Sequence, residues 1–303
     1  MPQYFFKYPK RLVNGILLTD LITRVKIADK YIDEDSLYYQ YEFKDSDTAE
    51  SIAHKYYKNP ELHWIVLLTN QIFDVNFDFP MSYDVFKSYI LDKYKNTGAV
   101  SSLKIESQGS GYVDGYYDNI PIKVQNSEEF DIVGSGALVD FTVGSGKVTN
   151  ISVFRGGSDY NANTIFTVDN SYLGGTGSGL ELSILSFMDG IEYASTTIDP
   201  EFGYQKTVKV TDTRTGEIIS KQYYSIGEDA YYNLYEGTDP FKKIVQLKDG
   251  TEIKYETIRS TLTTIYDYEE YINEKKRNIK ILKQEYFPMA VEEFVKLMSM
   301  LYV

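Results

Sequence analysis

His54 and His63 are the only histidines in the chain, and cysteine is absent. Two imidazoles share a metal from one helix face when they stand four residues apart, with a third ligand to complete the shell, and neither condition is met. Gly144-Ser145-Gly146-Lys147 has the closing glycine and lysine of a phosphate-binding loop. Val148, however, stands where a hydroxyl should hold magnesium, Phe141 stands where the opening glycine should be, and the segment leads into a strand rather than a helix. The glycines from Gly174 to Gly179 also lack a following helix and read as a turn. Asp33-Glu34-Asp35 lacks the closing glutamate of a calcium loop and reads as a solvated acidic run. The 44 acids allow many carboxylate pairs, and nothing in the sequence singles one out for glycoside hydrolysis. No catalytic residue, metal ligand or cofactor is assigned, and no enzyme activity is expected.

The balance of charge narrows the partners. Net charge is −13, and no cluster of lysine and arginine stands free of acids. A nucleic-acid groove needs a basic footprint to release counterions, and an anionic membrane surface needs the same, so neither partner is expected. The apolar run Trp64-Ile65-Val66-Leu67-Leu68 is far too short to span a bilayer. Met1 to Lys7 lacks a basic-then-apolar signal pattern, and the lack of cysteine suits maturation in a reducing cytoplasm or indifference to redox state. The 29 tyrosines fit either a chain rich in interfaces or one rich in strands.

The elements that must carry any contact residue are read from periodicity. Residues 1–38 read as an arm or short strands. Residues 39–98 form a compact module with a following helix. Tyr39, Tyr41 and Phe43 alternate as on a half-buried strand. Asp47 and Glu50 have the spacing of a capping box, ahead of Ala49, Ile52, Ala53 and Tyr56 at helical spacing. Asn59-Pro60 caps a second, apolar helix from Leu62 to about Thr69, ended by Asn70. A third helix runs from about Tyr83 to Tyr94, with Val85, Phe86, Tyr89 and Ile90 on one side.

Residues 99–187 change character, being rich in glycine and serine. Val100 to Tyr112 repeats at Val148 to Tyr160, and Gly134-Ser135-Gly136 is expected to recur at Gly175-Thr176-Gly177. Each copy reads as strands around glycine turns, and the two copies should pack into one β-unit. Residues 188–260 read as hairpins, around Asp212 to Gly216 and around Asp249-Gly250. Residues 261–303 read as helices. Ile265, Tyr268, Ile272, Ile279 and Leu282 form one expected stripe, and Pro288 opens a last helix with Val291, Phe294, Met298 and Leu301.

The segment Tyr41 to Asn70 resembles a LysM-like βααβ module through Asp47-Thr48-Ala49-Glu50-Ser51-Ile52-Ala53. Its continuation from Tyr56 through Asn59-Pro60, Trp64 and Asn70 to Phe73-Asp74, with Lys93-Tyr94-Lys95-Asn96, resembles the LysM-like baseplate wedge subunit of contractile-tailed, T-even-like bacteriophages. The stretch from Tyr268 to Leu282 resembles that family's closing helix. The resemblance implies an α+β fold interrupted by the glycine-rich repeat. It also implies a virion protein of the tail baseplate, assembled in the host cytoplasm and joining neighbouring wedges. Its implied partners are helical-bundle wedge subunits and the sheath-initiating subunit, within a large complex. The alternative is a LysM-type peptidoglycan-binding protein, with a cell-wall hydrolase as a third reading. Candidate contact residues are Tyr56, Tyr57, Phe73, Phe77 and Phe79. Candidate module-core residues are Ile52, Ala53, Leu62, Trp64 and Leu67.

Overall fold

The computed structural model describes residues 10–19, 32, 34–125, 134–234, 243–248 and 250–300. Asp20, Leu21, Ile22, Asp33, Asp249 and Leu301 lie outside the described residues, as do the side chains of Phe294 and Met298. In chain order the first strands and helices are β1 (Lys10–Val13), β2 (Ile16–Thr19), β3 (Tyr38–Glu42), α1 (Ala49–Tyr57), α2 (His63–Thr69) and α3 (Tyr83–Lys93). Six strands follow: β4 (Val100–Ser110), β5 (Gly115–Val124), β6 (Ser135–Gly144), β7 (Lys147–Ser158), β8 (Ile165–Val168) and β9 (Ser178–Phe187). Next come α4 (Gly190–Thr196), β10 (Gln205–Asp212), β11 (Ile218–Ser225), α5 (Glu228–Tyr232), β12 (Lys243–Gln246) and β13 (Glu252–Arg259). The chain closes with α6 (Ile265–Lys275), β14 (Asn278–Leu282) and α7 (Phe287–Met300). It divides into two compact units, one of residues 1–86 with 270–303 and one of residues 87–269.

The first unit is built on β3, α1, α2 and β14. β3 and β14 pair antiparallel, with Tyr41 opposite Ile279 and Tyr39 opposite Ile281. Phe43, Ile52, Ala53, Tyr57, Trp64, Ile65, Val66, Phe79, Ile279, Ile281 and Leu282 are buried in one cluster, and Val291 of α7 packs on it. Helix α1 starts one residue later than the spacing of Asp47 and Glu50 predicts. Thr48 is the cap: its hydroxyl accepts from the Ser51 amide at 3.1 Å, and the Ser51 hydroxyl accepts from the Thr48 amide at 2.8 Å. Asp47 is engaged elsewhere, accepting from the Lys44 amide at 2.8 Å and the Tyr41 hydroxyl at 2.7 Å. Asn59 does cap the next turn, accepting from the Glu61 amide at 3.0 Å ahead of Pro60.

The expected stripe from Ile265 to Leu282 is not one helix. Helix α6 ends at Lys275, and Ile279 and Leu282 belong to β14. The amides of Lys276 and Arg277 tighten onto the Asn273 and Glu274 carbonyls. The Arg277 guanidinium is then held by Glu274 at 2.8 Å and Asp45 at 2.7 Å. The chain so turned supplies the strand that β3 otherwise lacks, which is why the segment does not continue as helix.

In the second unit a six-stranded sheet has the order β4-β9-β8-β5-β6-β7, antiparallel throughout. Exchanging β4, β5 and β6 for β7, β8 and β9 gives the same order read backwards. β4 and β7, at the two ends of that order, also lie against each other, so the sheet curls around a core of Val139, Phe141, Phe166, Leu173, Leu180 and Leu182.

Tyr112 and Tyr160 are buried equivalents 48 positions apart. The Tyr112 hydroxyl accepts from the Leu180 amide at 3.3 Å, and that of Tyr160 from the Ala137 amide at 3.2 Å. These bonds correct the expected second element. Its copies are Gly134-Ser135-Gly136-Ala137 and Gly177-Ser178-Gly179-Leu180, an offset of 43 (134 to 177) rather than one starting at Gly175. Gly134 and Gly177 lie against the two tyrosine rings, too close for any Cβ.

A separate four-stranded antiparallel sheet runs β11-β10-β13-β12. The Asp212 carboxylate organises its first turn, accepting from the Arg214 and Thr215 amides at 2.8 and 3.1 Å. Helices α4 and α5 were not signalled by periodicity, being only seven and five residues long.

Candidate interaction surface

Among the described residues, chemistry-bearing side chains do not converge. His54 is exposed, and the His63 ring donates to the Pro60 carbonyl at 3.1 Å. Among the described residues no group of histidine and carboxylate side chains is placed to hold a metal ion. None of the described helices is long and apolar enough to cross a membrane. Ser145 and Gly146, once weighed as part of a phosphate loop, form the tight turn between β6 and β7, with φ of 55° and 73°.

Of the five aromatic contact candidates, two are removed by burial. Tyr57 is 4% exposed and packs edge-on to Phe287 at 4.3 Å; burial pushes its hydroxyl pKa up. Phe79 is 7% exposed and packs edge-on to Phe43 at 4.6 Å. The sequence error at Tyr57 comes from phase. With Thr48 as cap, Ala49, Ile52, Ala53 and Tyr57 are the buried residues of α1, and Tyr56 moves to its margin. Ile52, Ala53 and Trp64 are buried in the same cluster, with Leu62 and Leu67 packed at its edge.

Two surfaces carry the remaining candidates. On the first, Tyr56 meets Tyr41 edge-on at 5.6 Å and Tyr39 at 6.2 Å. Lys55 lies 4.6 Å over the Tyr41 ring, a cation–π contact. Burial and the Asp47 carboxylate together push the Tyr41 hydroxyl pKa up to about 12, so it stays a donor at neutral pH. Tyr39, expected to face inward, is half exposed, because Tyr38 fills the core position instead.

The second surface is the loop from Phe73 to Phe79. Phe73 is 49% and Phe77 54% exposed, and Val75 between them is exposed as well. Two carboxylates fix the loop from below. The Asp78 carboxylate accepts from the amides of Asp74 and Phe73 at 2.9 and 3.0 Å, and Asp74 accepts from the Asn76 amide at 2.9 Å. The Lys276 ammonium donates to the Phe77 carbonyl. The two amides and the Lys276 charge hold the Asp78 carboxyl below its ordinary range. A loop held this way offers apolar side chains at little further entropic loss on binding. The repeated Asp at positions 74 and 78 was the available sequence signal for this bracing, and Val75 could have been read with it.

Residues 3–130 match the profile of a family described as base plate wedge protein 53. No curated protein and no solved structure matches the chain. The matched segment contains β1, β2, β3, α1, α2, the aromatic loop and α3, and extends through β5. The match supports a structural role in a phage baseplate, within a complex of other subunits.

Three residues hold the first unit together across long chain separations, in contacts that local spacing does not show. Asn70 donates to the Lys280 carbonyl and accepts from the Lys280 amide, at 2.8 and 2.7 Å. Asn273 does the same to Met81, at 3.0 and 2.8 Å. Each amide side chain substitutes for one rung of a β-ladder. Arg277 is the third, through Asp45 and Glu274.

Proposed function

We propose that this chain is a non-catalytic joint of a contractile-tailed phage baseplate. In this reading the frame of β3, α1, α2 and β14 is a LysM-like module used to bind protein rather than sugar. It joins neighbouring wedges in a T-even-like tail, contacting helical-bundle wedge subunits and the sheath-initiating subunit, after assembly in the host cytoplasm. The observation that carries it is the family match over residues 3–130, the segment that contains the braced, outward-facing Phe73, Val75 and Phe77. Aromatic anchors on a fixed loop are the usual centre of a protein–protein interface.

The test is reconstitution of wedges with and without the chain. Full assembly should require it, and Phe73→Ser with Phe77→Ser should weaken its incorporation while the isolated chain unfolds as before. Assembly that proceeds equally well without the chain would end the proposal.

One observation favours a second reading. Tyr39, Tyr41 and Tyr56 form an aromatic face at the edge of the module, and aromatic faces stack on sugar rings. Retention on purified peptidoglycan, lost in Tyr39→Ala, would favour the peptidoglycan-binding alternative.

A further inference from the structure

The stretch that carries Phe73, Val75 and Phe77 runs from α2 to α3, and it is tied at three points to the passage from α6 into β14. Where it leaves α2, Asn70 makes its two hydrogen bonds to the Lys280 backbone, at 2.8 and 2.7 Å. Where it approaches α3, the Asn273 side chain accepts from the Met81 amide at 2.8 Å and donates to its carbonyl at 3.0 Å. Between the two, the Lys276 ammonium donates to the Phe77 carbonyl. These ties cross 192 to 210 residues of chain.

The carboxylate bonds of Asp74 and Asp78 work differently. They reach at most five residues along the chain, as do the bonds of the Phe77 and Asp78 amides to the Asp74 carbonyl. Such bonds fix the shape of the loop but survive if it swings as a body. A bond to residue 273 or 276 does not. Asn273 suits the task, because one carboxamide presents a donor and an acceptor side by side to both polar groups of Met81. Asn273 is 5% and Met81 7% exposed, so truncating the side chain strands two buried backbone groups. Lys276 brings only donors, and its charge strengthens the bond to a carbonyl.

We propose that Asn273 and Lys276 are positioning residues for the aromatic surface. They strap the loop from Phe73 to Phe79 to the turn between α6 and β14, and so set where Phe73 and Phe77 stand when a partner arrives. The consequence for binding rests on the assembly reading above; the strap itself does not.

The experiment follows hydrogen exchange at the amides of Phe73, Asp74, Asn76, Phe77 and Asp78 in the full chain, with the amides of α2 as reference. Binding to wedges assembled without the chain is measured alongside. Lys276→Met keeps the apolar stem and removes the donors, so the loop amides should exchange about tenfold faster while α2 is unchanged. Lys276→Arg restores a donor and should return slow exchange. Asn273→Ala should accelerate the loop further, and both loosened variants should bind wedges at least about threefold more weakly. Unchanged loop exchange in Lys276→Met and Asn273→Ala overturns the proposal, because the carboxylates then brace the loop alone. Equal acceleration in α2 also overturns it, because the two residues then hold the whole unit. Faster loop exchange with unweakened binding overturns the positioning role. If the wild type fails to bind while loop exchange responds as expected, the strap stands and the assembly reading falls.

Discussion

Replacing Asn70 by alanine removes three hydrogen bonds: to the Lys280 carbonyl, from the Lys280 amide, and to the Val66 carbonyl, at 2.8, 2.7 and 2.8 Å. The first two join the end of α2 to β14 across 210 residues of chain. At about 0.5–1.5 kcal/mol net per bond, the loss should total about 2–4 kcal/mol. The Lys280 amide and carbonyl remain only partly buried, so water recovers part of the loss and places the result toward the lower end. The assay is urea unfolding followed by tryptophan emission. Trp64 is the only tryptophan and is buried in the core that β14 completes, so its emission reports the first unit. The midpoint should fall with little change in slope. Asn70→Asp should be at least as damaging at neutral pH, since a carboxylate would face two carbonyls. Its raised folded-state pKa would then restore stability as pH falls. A loss below about 0.5 kcal/mol in Asn70→Ala would refute the reasoning.

Three further predictions follow from the same geometry. Gly157→Ala places a Cβ against the Ser135 carbonyl at a φ of 65°, and should destabilise the second unit by about 1–3 kcal/mol while leaving Trp64 emission unchanged; near-ultraviolet circular dichroism of the tyrosines checks it. Asp78 has a folded-state pKa below its unfolded value, so its contribution is complete above about pH 4–5 and is lost as pH falls through the lower value. Amide exchange in the loop from Phe73 to Phe79 should therefore rise on acidification, and Asp78→Asn should show the raised rate at every pH. Removing residues 270–303 deletes β14 and α7, so Trp64 emission should shift to that of an exposed indole even without denaturant.

The helices and caps of the first unit were legible because local spacing carries them. Asn59-Pro60, the apolar run through Trp64 and the stop at Asn70 all fall where the residues indicate. The one-residue shift at Thr48 was not legible. Asp47 and Thr48 are both good caps, and only the Tyr41 hydroxyl, through tertiary contact, commits Asp47 elsewhere. Strand β14 was hidden for a related reason: Ile272, Ile279 and Leu282 fit a helical template, and the strand exists because β3, distant in sequence, needs a partner. The offset of 43 in the glycine repeat likewise depends on which glycines face Tyr112 and Tyr160, a matter of packing rather than composition. At the candidate surface the aromatic loop could be found from its residues, but telling Phe73 and Phe77 from Phe79 required knowing which side faces Phe43.

The central claim is that the chain is a built-in part of a phage tail baseplate, and a reconstruction of intact tails purified from the source of this sequence tests that most directly. The account predicts density for the β3–β14 frame within the baseplate, with Phe73 and Phe77 against a neighbouring subunit. Purified tails that lack the chain altogether would contradict it.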